Sequence, residues 1–189
     1  MGFLDALLGR SKRVKPDLDA LFALPSAAVT LDAAASFKPT GRGSVCFRAV
    51  EGRAFDDVEH EIQALLNAGN GPQVALSNDQ YGYTWLRAER SPDQVAELVT
   101  DLHAVNSTLE SSGFGPSLLC SLVSFADDDG RRLALVYLYK RGTFYPFAPQ
   151  PAEKRDSALE LQIRGVVNAD LPLEDDLQRW FPVWGAPGL

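Results

Sequence analysis

The chain has 189 residues, of which 46% are apolar and 23% charged, and a net charge of −7. That length and balance suit one soluble globular domain with a proper core. No run of roughly 18 apolar residues is present to cross a bilayer, and the acidic total argues against general nucleic-acid binding.

The charge is uneven. Residues 1–15 carry four basic residues and one acidic, or +3, which leaves −10 on residues 16–189. In the opening MGFLDALLGRSKRVKP, the spacing predicts that Phe3, Leu4, Leu7 and Leu8 share one side of a helix. Arg10, Lys12, Arg13 and Lys15 follow at once. The basic residues come after the apolar ones and no cleavage site follows, so this is not a secretory signal. Ala6 departs from the myristoylation pattern. Three readings stay open: an interfacial foot whose eight residues make weak peripheral contact with an anionic membrane, a helix packed on its own domain, and a frayed end.

Residues 17–24 (DLDALFAL) read as a short helix stopped by Pro25, and AAVTLDA as a brief strand. KPTGRG at 38–43 supplies turn chemistry before a strand, SVCFRAV, at 44–50. Phe55, Val58, Ile62, Leu65 and Leu66 form a helical stripe that ends at Gly69. QVALS then reads as a strand, NDQYG as a turn and YTWLRAER as a second strand, with Tyr83, Trp85 and Arg87 on one face and Thr84 and Leu86 on the other.

Ser91, Pro92 and Gln94 spell a capping box for a helix running from 92 to 112, with Val95, Leu98, Val99, Leu102, Val105 and Leu109 as its buried stripe. A three-strand meander follows: SLLCSLVSF, the turn DDDG, RRLALVYLY, the turn KRG, and TFYPF. Leu133, Leu135, Tyr137 and Tyr139 alternate with Ala134, Val136 and Leu138. Both faces are apolar, so the strand is expected to be central and covered, with Tyr137 and Tyr139 facing the helix of Leu98, Leu102 and Val105. Pro146 implies that the last strand lies at an edge or is interrupted. PQPAEKRD reads as a linker, SALELQIRGVV as a helix and LEDDLQRWF as a short one. The whole is α+β, an antiparallel sheet whose C-terminal meander packs against helices. Residues 1–15 form an N-terminal segment, and residues 16–189 one domain with an aromatic tail.

No catalytic, cofactor or metal site emerges. His60 and His103 are the two histidines, with no HExxH or Cys/His cluster. His60 reads as a solvated helix residue, and His103 as a half-buried, hydrogen-bonded one beside Asn106. Cys46 and Cys120 lie in strand-like runs and read as buried free thiols. GRGS and GNGP lack the phosphate-loop spacing, and DDDG suits a hairpin turn. The unusual feature is aromatic density, in YKRGTFYPF and in the closing RWFPVWGAPGL. Arg179, Trp180, Phe181 and Trp184 either fold back to complete the core or present a docking patch for a protein partner.

The blocks MGFLDALLGR, KPDLDALFALPSAAVTL, YGYTWL, VTDLHAVNSTLE, LALVYLYKRGTFYPFAP and RWFPVWGAPGL resemble the PspAB family of PspA-associated proteins from the first residue to the last. The resemblance implies a small cytoplasmic protein encoded with PspA, the membrane-coating effector of the phage-shock response to envelope stress. It brings no catalytic residues with it. The middle of the chain also resembles YbjN and the secretion-chaperone fold, which implies helices against an antiparallel sheet, with homodimers common.

The chain is therefore expected to act by binding, without enzymatic activity or cofactor, as accessory partner of a PspA-type membrane-coating protein. Its expected place is the cytoplasm, peripheral on the inner face of the cell membrane. Two alternatives are a secretion-chaperone-like module that holds an amphipathic segment of a partner, and an enzyme with a small-molecule site near His103.

Overall fold

The computed structural model describes residues 16–48, 52–67 and 74–189. The membrane-contact residues Phe3, Leu4, Leu7, Leu8, Arg10, Lys12, Arg13 and Lys15 lie outside the described residues. So do the expected helix end at Gly69 and the side chains of Phe55, Leu65 and Leu66.

The described chain is α+β. Six antiparallel strands, β1 (Lys38–Arg48), β2 (Ala75–Asn78), β3 (Tyr83–Glu89), β4 (Leu118–Ala126), β5 (Arg132–Leu138) and β6 (Thr143–Phe147), form one sheet in the order β2-β3-β1-β4-β5-β6. The helices are α1 (Leu24–Ala35), α2 (Arg53–Asn67), α3 (Val95–Leu109) and α4 (Ser157–Val167). The first strand in sequence thus sits near the centre, between β3 and β4.

The N-terminal expectations need correction. Pro25 does not stop a helix. A 3₁₀ turn, Leu18–Ala23, runs straight into α1, where Pro25 occupies the first turn and its missing N–H costs no intrahelical bond. AAVTLDA is part of α1. Its alanines favour helix, and Val29 projects into solvent at 71% exposure. Ser36 in the left-handed conformation (φ 59°) closes the helix by donating its N–H to Asp32 and Leu31. By length and composition Leu18–Ala35 is apolar enough to cross a membrane, but here Leu21, Leu24, Ala27, Ala28 and Leu31 pack into the core.

KPTGRG is not a turn before the strand. It belongs to β1, which bulges against β4 between Pro39 and Gly43. Gly41 (φ 77°) allows this bulge, since a Cβ there would lie 2.1 Å from Arg90 O. Helix α3 begins at Val95 rather than Pro92. Arg90 N–H is held by Gly41 O at 2.8 Å, and Ser91–Gln94 makes a turn first. One arm of the expected capping box does form, from Ser91 N–H to Gln94 Oε1 at 3.4 Å. The stripe Leu98, Val99, Leu102, Val105 and Leu109 is buried as expected, with Val95 at its half-buried start. After Leu109 the helix widens through Glu110–Phe114 and stops at Gly113 (φ 86°).

The meander follows the reading. β5 is fully covered along its centre, and Pro146 lies on the edge strand β6. Tyr137 and Tyr139 share a core cluster with Leu98, Leu102 and Val105. Burial pushes the Tyr137 phenol up to about 12, so it remains a donor, and it reaches Asp17 O at 2.7 Å. The expected linker at 149–156 holds a small hairpin, β7 (Pro149–Gln150) with β8 (Lys154–Arg155). The LEDDLQRWF segment forms only a 3₁₀ turn, Leu177–Arg179.

Helices α1, α3 and α4 cover one face of the sheet, and α2 packs on α3 through Val58 and Ile62. On the opposite face Cys46, Trp85, Leu122, Ala134, Val136, Tyr145 and Phe147 meet Trp180, Val183 and Ala186 of the C-terminal tail.

Candidate functional site

The tail reaches that second face by way of the β6 edge. Phe144 N–H donates to Pro172 O and Glu174 N–H donates to Phe144 O, both at 2.8 Å, so residues 172–174 run alongside β6. The Glu174 side chain is 3% exposed and takes Arg141 Nε at 3.1 Å, Thr143 Oγ1 at 3.0 Å and Asp176 N–H at 3.2 Å. Burial pushes this carboxyl up, but those donors outweigh it and hold it below its ordinary value. Next the Trp180 indole N–H donates to Glu174 O at 3.0 Å, and its ring stacks on Tyr145 with centroids 6.0 Å apart. Arg155, paired with Glu160 at 3.0 Å, donates to Trp180 O, and Tyr145 Oη donates to Phe181 O at 2.7 Å. Trp184 meets the Phe147 ring edge-on at 4.9 Å.

The tail covers only part of the face. Beside it lies an open groove of about 650 Å³. Its floor is Cys46, Trp85, Leu119, Cys120 and Leu138, from four different strands. One wall is the β2–β3 turn with Asp79, Tyr81 and Tyr83. The other is Lys140 and Arg141 from the β5–β6 turn together with Arg179 and Phe181 to Trp184 from the tail. Phe181 (58%) and Tyr81 (55%) are the most exposed aromatics of the rim.

The polar groups in this groove are mostly engaged. The Asp79 carboxylate accepts Tyr81 N–H at 2.8 Å, Tyr83 N–H at 3.0 Å and the Trp85 indole N–H at 2.9 Å. Burial works against that charge, and these bonds outweigh it, so the carboxyl is held below its ordinary value. Cys46 and Cys120 face each other across β1 and β4 as buried free thiols. Their mutual hydrogen bond, and then burial, push the Cys46 thiol up, so it stays protonated at neutral pH and is a poor nucleophile.

The structure brings three of the four expected docking residues to the groove: Arg179, Phe181 and Trp184 line it. Trp180 is 5% exposed and belongs to the core beneath. The aromatic tail folds back to complete the core through Trp180 and Val183 and leaves Phe181 at the surface. Tyr81, Tyr83, Leu119 and Leu138 were missed. The signal present was the two-residue alternation of β3 and β5, which puts Tyr83 with Trp85 and Leu138 with Val136 on the same face.

His103 lies elsewhere, on α3 and so behind the sheet. Its Nε2 is 3.2 Å from Asp19 Oδ1, its Nδ1 is 3.4 Å from Ser107 Oγ, and its ring lies 4.7 Å from that of Phe22. Asn106 is fully buried instead of sharing that patch. Its amide donates to Leu102 O and to Ser121 Oγ, both at 2.8 Å. His60 is exposed and contacts Asp56 O at 2.6 Å. Among the described residues no group of three or more His, Cys, Asp or Glu is placed to hold a metal ion.

The family model described as PspA associated protein B matches residues 1–188. No curated protein and no solved structure matches the chain. With nearly its whole length matched, the chain belongs to the PspA-associated protein B family.

Proposed function

We propose, from membership of a family named for its association with PspA, that this chain is a non-enzymatic accessory protein of a PspA-type membrane-stress response and acts by binding protein. The observation that supports this reading is the groove. It is open and largely apolar, with exposed aromatics at its rim, as a protein-docking surface is. Of the groove's cysteines, Cys46 has its thiol pushed up by the Cys120 hydrogen bond and by burial, and the histidine most open to catalytic interpretation lies behind the sheet.

The test is binding of the purified full chain to the PspA-type protein encoded with it. Association is expected, and Phe181→Ser should weaken it about tenfold or more, as for an interface anchor. Full-strength binding by Phe181→Ser moves the docking surface off the groove, and no association at all defeats the accessory role.

The proposed location is the cytoplasm, at the inner face of the cell membrane. Burial of four apolar side chains, at about 1.5–3 kcal/mol each, does not by itself exceed the cost of ordering about ten residues of the opening segment, at about 1–2 kcal/mol each. Arg10, Lys12, Arg13 and Lys15 then decide the outcome, at about 1 kcal/mol each on an anionic leaflet. The contact is accordingly weak and salt-sensitive. Co-sedimentation with anionic vesicles should fall when residues 1–15 are removed. Equal sedimentation of the two forms removes the membrane foot.

A further inference from the structure

The groove lies on the face of the sheet and not at its edge. The β6 edge is already occupied by residues 172–174, so whatever enters the groove is held by its side chains. An extended peptide laid across this floor would leave backbone N–H and C=O groups over Trp85, Leu119 and Leu138 with nothing to bond. A helix satisfies its own backbone and offers a continuous apolar face.

Charge narrows the occupant further. The one carboxylate in the wall of the groove, Asp79, is taken up by three N–H donors. On the other wall Arg141 is paired with Glu174 through Nε at 3.1 Å, and Arg179 with Asp176 through Nε at 3.3 Å and with Glu174 through Nη1 at 3.9 Å. Lys140 is exposed. The lining of the groove thus sets Lys140, Arg141 and Arg179 against the single carboxylate Asp79, and Lys140 is the cation among them that holds no ion pair among the described residues. Acidic side chains on a docked segment are drawn to Lys140 on this wall.

We propose that the groove receives the apolar face of an amphipathic helix flanked by acidic side chains, with Lys140 as its exposed charge partner. The proposal rests on the docking reading above and names the chemistry of the docked segment.

The protein carries its own reporter. All three tryptophans of the chain lie here, Trp85 and Trp184 in the lining and Trp180 stacked behind Tyr145. The full chain is titrated, with tryptophan fluorescence as readout, against two tryptophan-free helical peptides of identical Leu/Ala apolar face, one flanked by Glu and one by Lys. Saturable binding of the Glu peptide is expected, with the Lys peptide about two- to fivefold weaker, the size of one exposed charge pair. Lys140→Glu should abolish that preference with an unchanged circular-dichroism spectrum. Equal affinities, or no saturable signal from either peptide, overturn the proposal. So does sodium decanoate displacing the Glu peptide at equal or lower concentration, which would assign the groove to a small amphiphile. If neither peptide binds while the PspA-type protein still does, and does so less well with Phe181→Ser, the helix proposal falls and the docking reading stands.

Discussion

Behind the sheet, Leu98, Leu102, Val105 and Leu109 of α3 and the leucines of α1 press directly on Val45, Leu135 and Tyr137. In front of it, Trp180, Val183 and Ala186 lie on Cys46, Val136 and Phe147 as an irregular strap. The first contact is made by regular helices whose backbone groups bond internally. The strap has only isolated turns, such as Trp180 N–H to Leu177 O and Ala186 N–H to Val183 O, so other carbonyls are pegged one at a time: Trp180 O by Arg155, Phe181 O by Tyr145, Glu174 O by the Trp180 indole. The helical face is sealed by shape and the front face is fastened by polar pegs. A fastening of that kind can be undone locally without unfolding the sheet, and the half of the face it leaves bare is where the groove lies.

The sharpest way to break this comparison is to empty a site on each side. Tyr137→Ala should destabilise by roughly 3–5 kcal/mol in urea denaturation, because the helices cannot collapse fully into the space. A loss under about 1 kcal/mol would show that the helical face is not the rigid one. Trp180→Ala should cost less, about 2–3 kcal/mol, because the strap can peel away rather than enclose a void. Its mark would be rapid proteolysis after residue 174 at denaturant levels where the sheet is intact. Simultaneous loss of tail and sheet would instead make the two faces one cooperative unit.

Glu174 tests the peg itself. Glu174→Gln should weaken tail docking by about 2 kcal/mol, in the range for hydrogen bonds to a charged group. Because the folded carboxyl is held below its ordinary value, the charged form contributes in full above the ordinary glutamate range. That contribution is lost as pH falls through this range toward the lower folded value. Proteolysis of the wild-type tail should therefore rise on acidification. In Glu174→Gln it should start higher and rise less, the remaining slope coming from groups such as Asp79 and Asp127, which are also held low. The smallest effect belongs to His103→Ala, at most about 1 kcal/mol, since its partner Asp19 is 86% exposed on the side chain. A greater loss in thermal denaturation would mean that the Asp19 contact pins the 3₁₀ turn to α3.

The rear face was legible in the sequence and the front one only in part. A stripe such as Leu98, Leu102, Val105 and Leu109, or an alternation such as Leu133 to Tyr139, is a local pattern that survives in any fold accepting it. Pro25 misled because the same residue ends one helix and starts another, and only the following AAVTLDA, with its solvent-facing Val29, decides between them. KPTGRG misled because a strand that bulges uses the same residues as a turn. The aromatic tail was visible as a cluster, and its two possible roles were visible too. Their division between Trp180 and Phe181 was not, because it depends on Tyr145 and Arg155, 25 residues and more upstream. The groove floor draws on β1, β3, β4 and the end of β5, and no window of sequence contains it.

The strap also has a history within each round of synthesis. Residues 180–186 leave the ribosome after every strand they cover, so the sheet can assemble against α1 and α3 while Trp85, Val136 and Phe147 still face water. For that interval the nascent protein displays its widest apolar surface, the condition under which partly folded chains associate. A partner already resting in the groove would cover part of it, so docking there, as proposed, would also shelter the maturing chain.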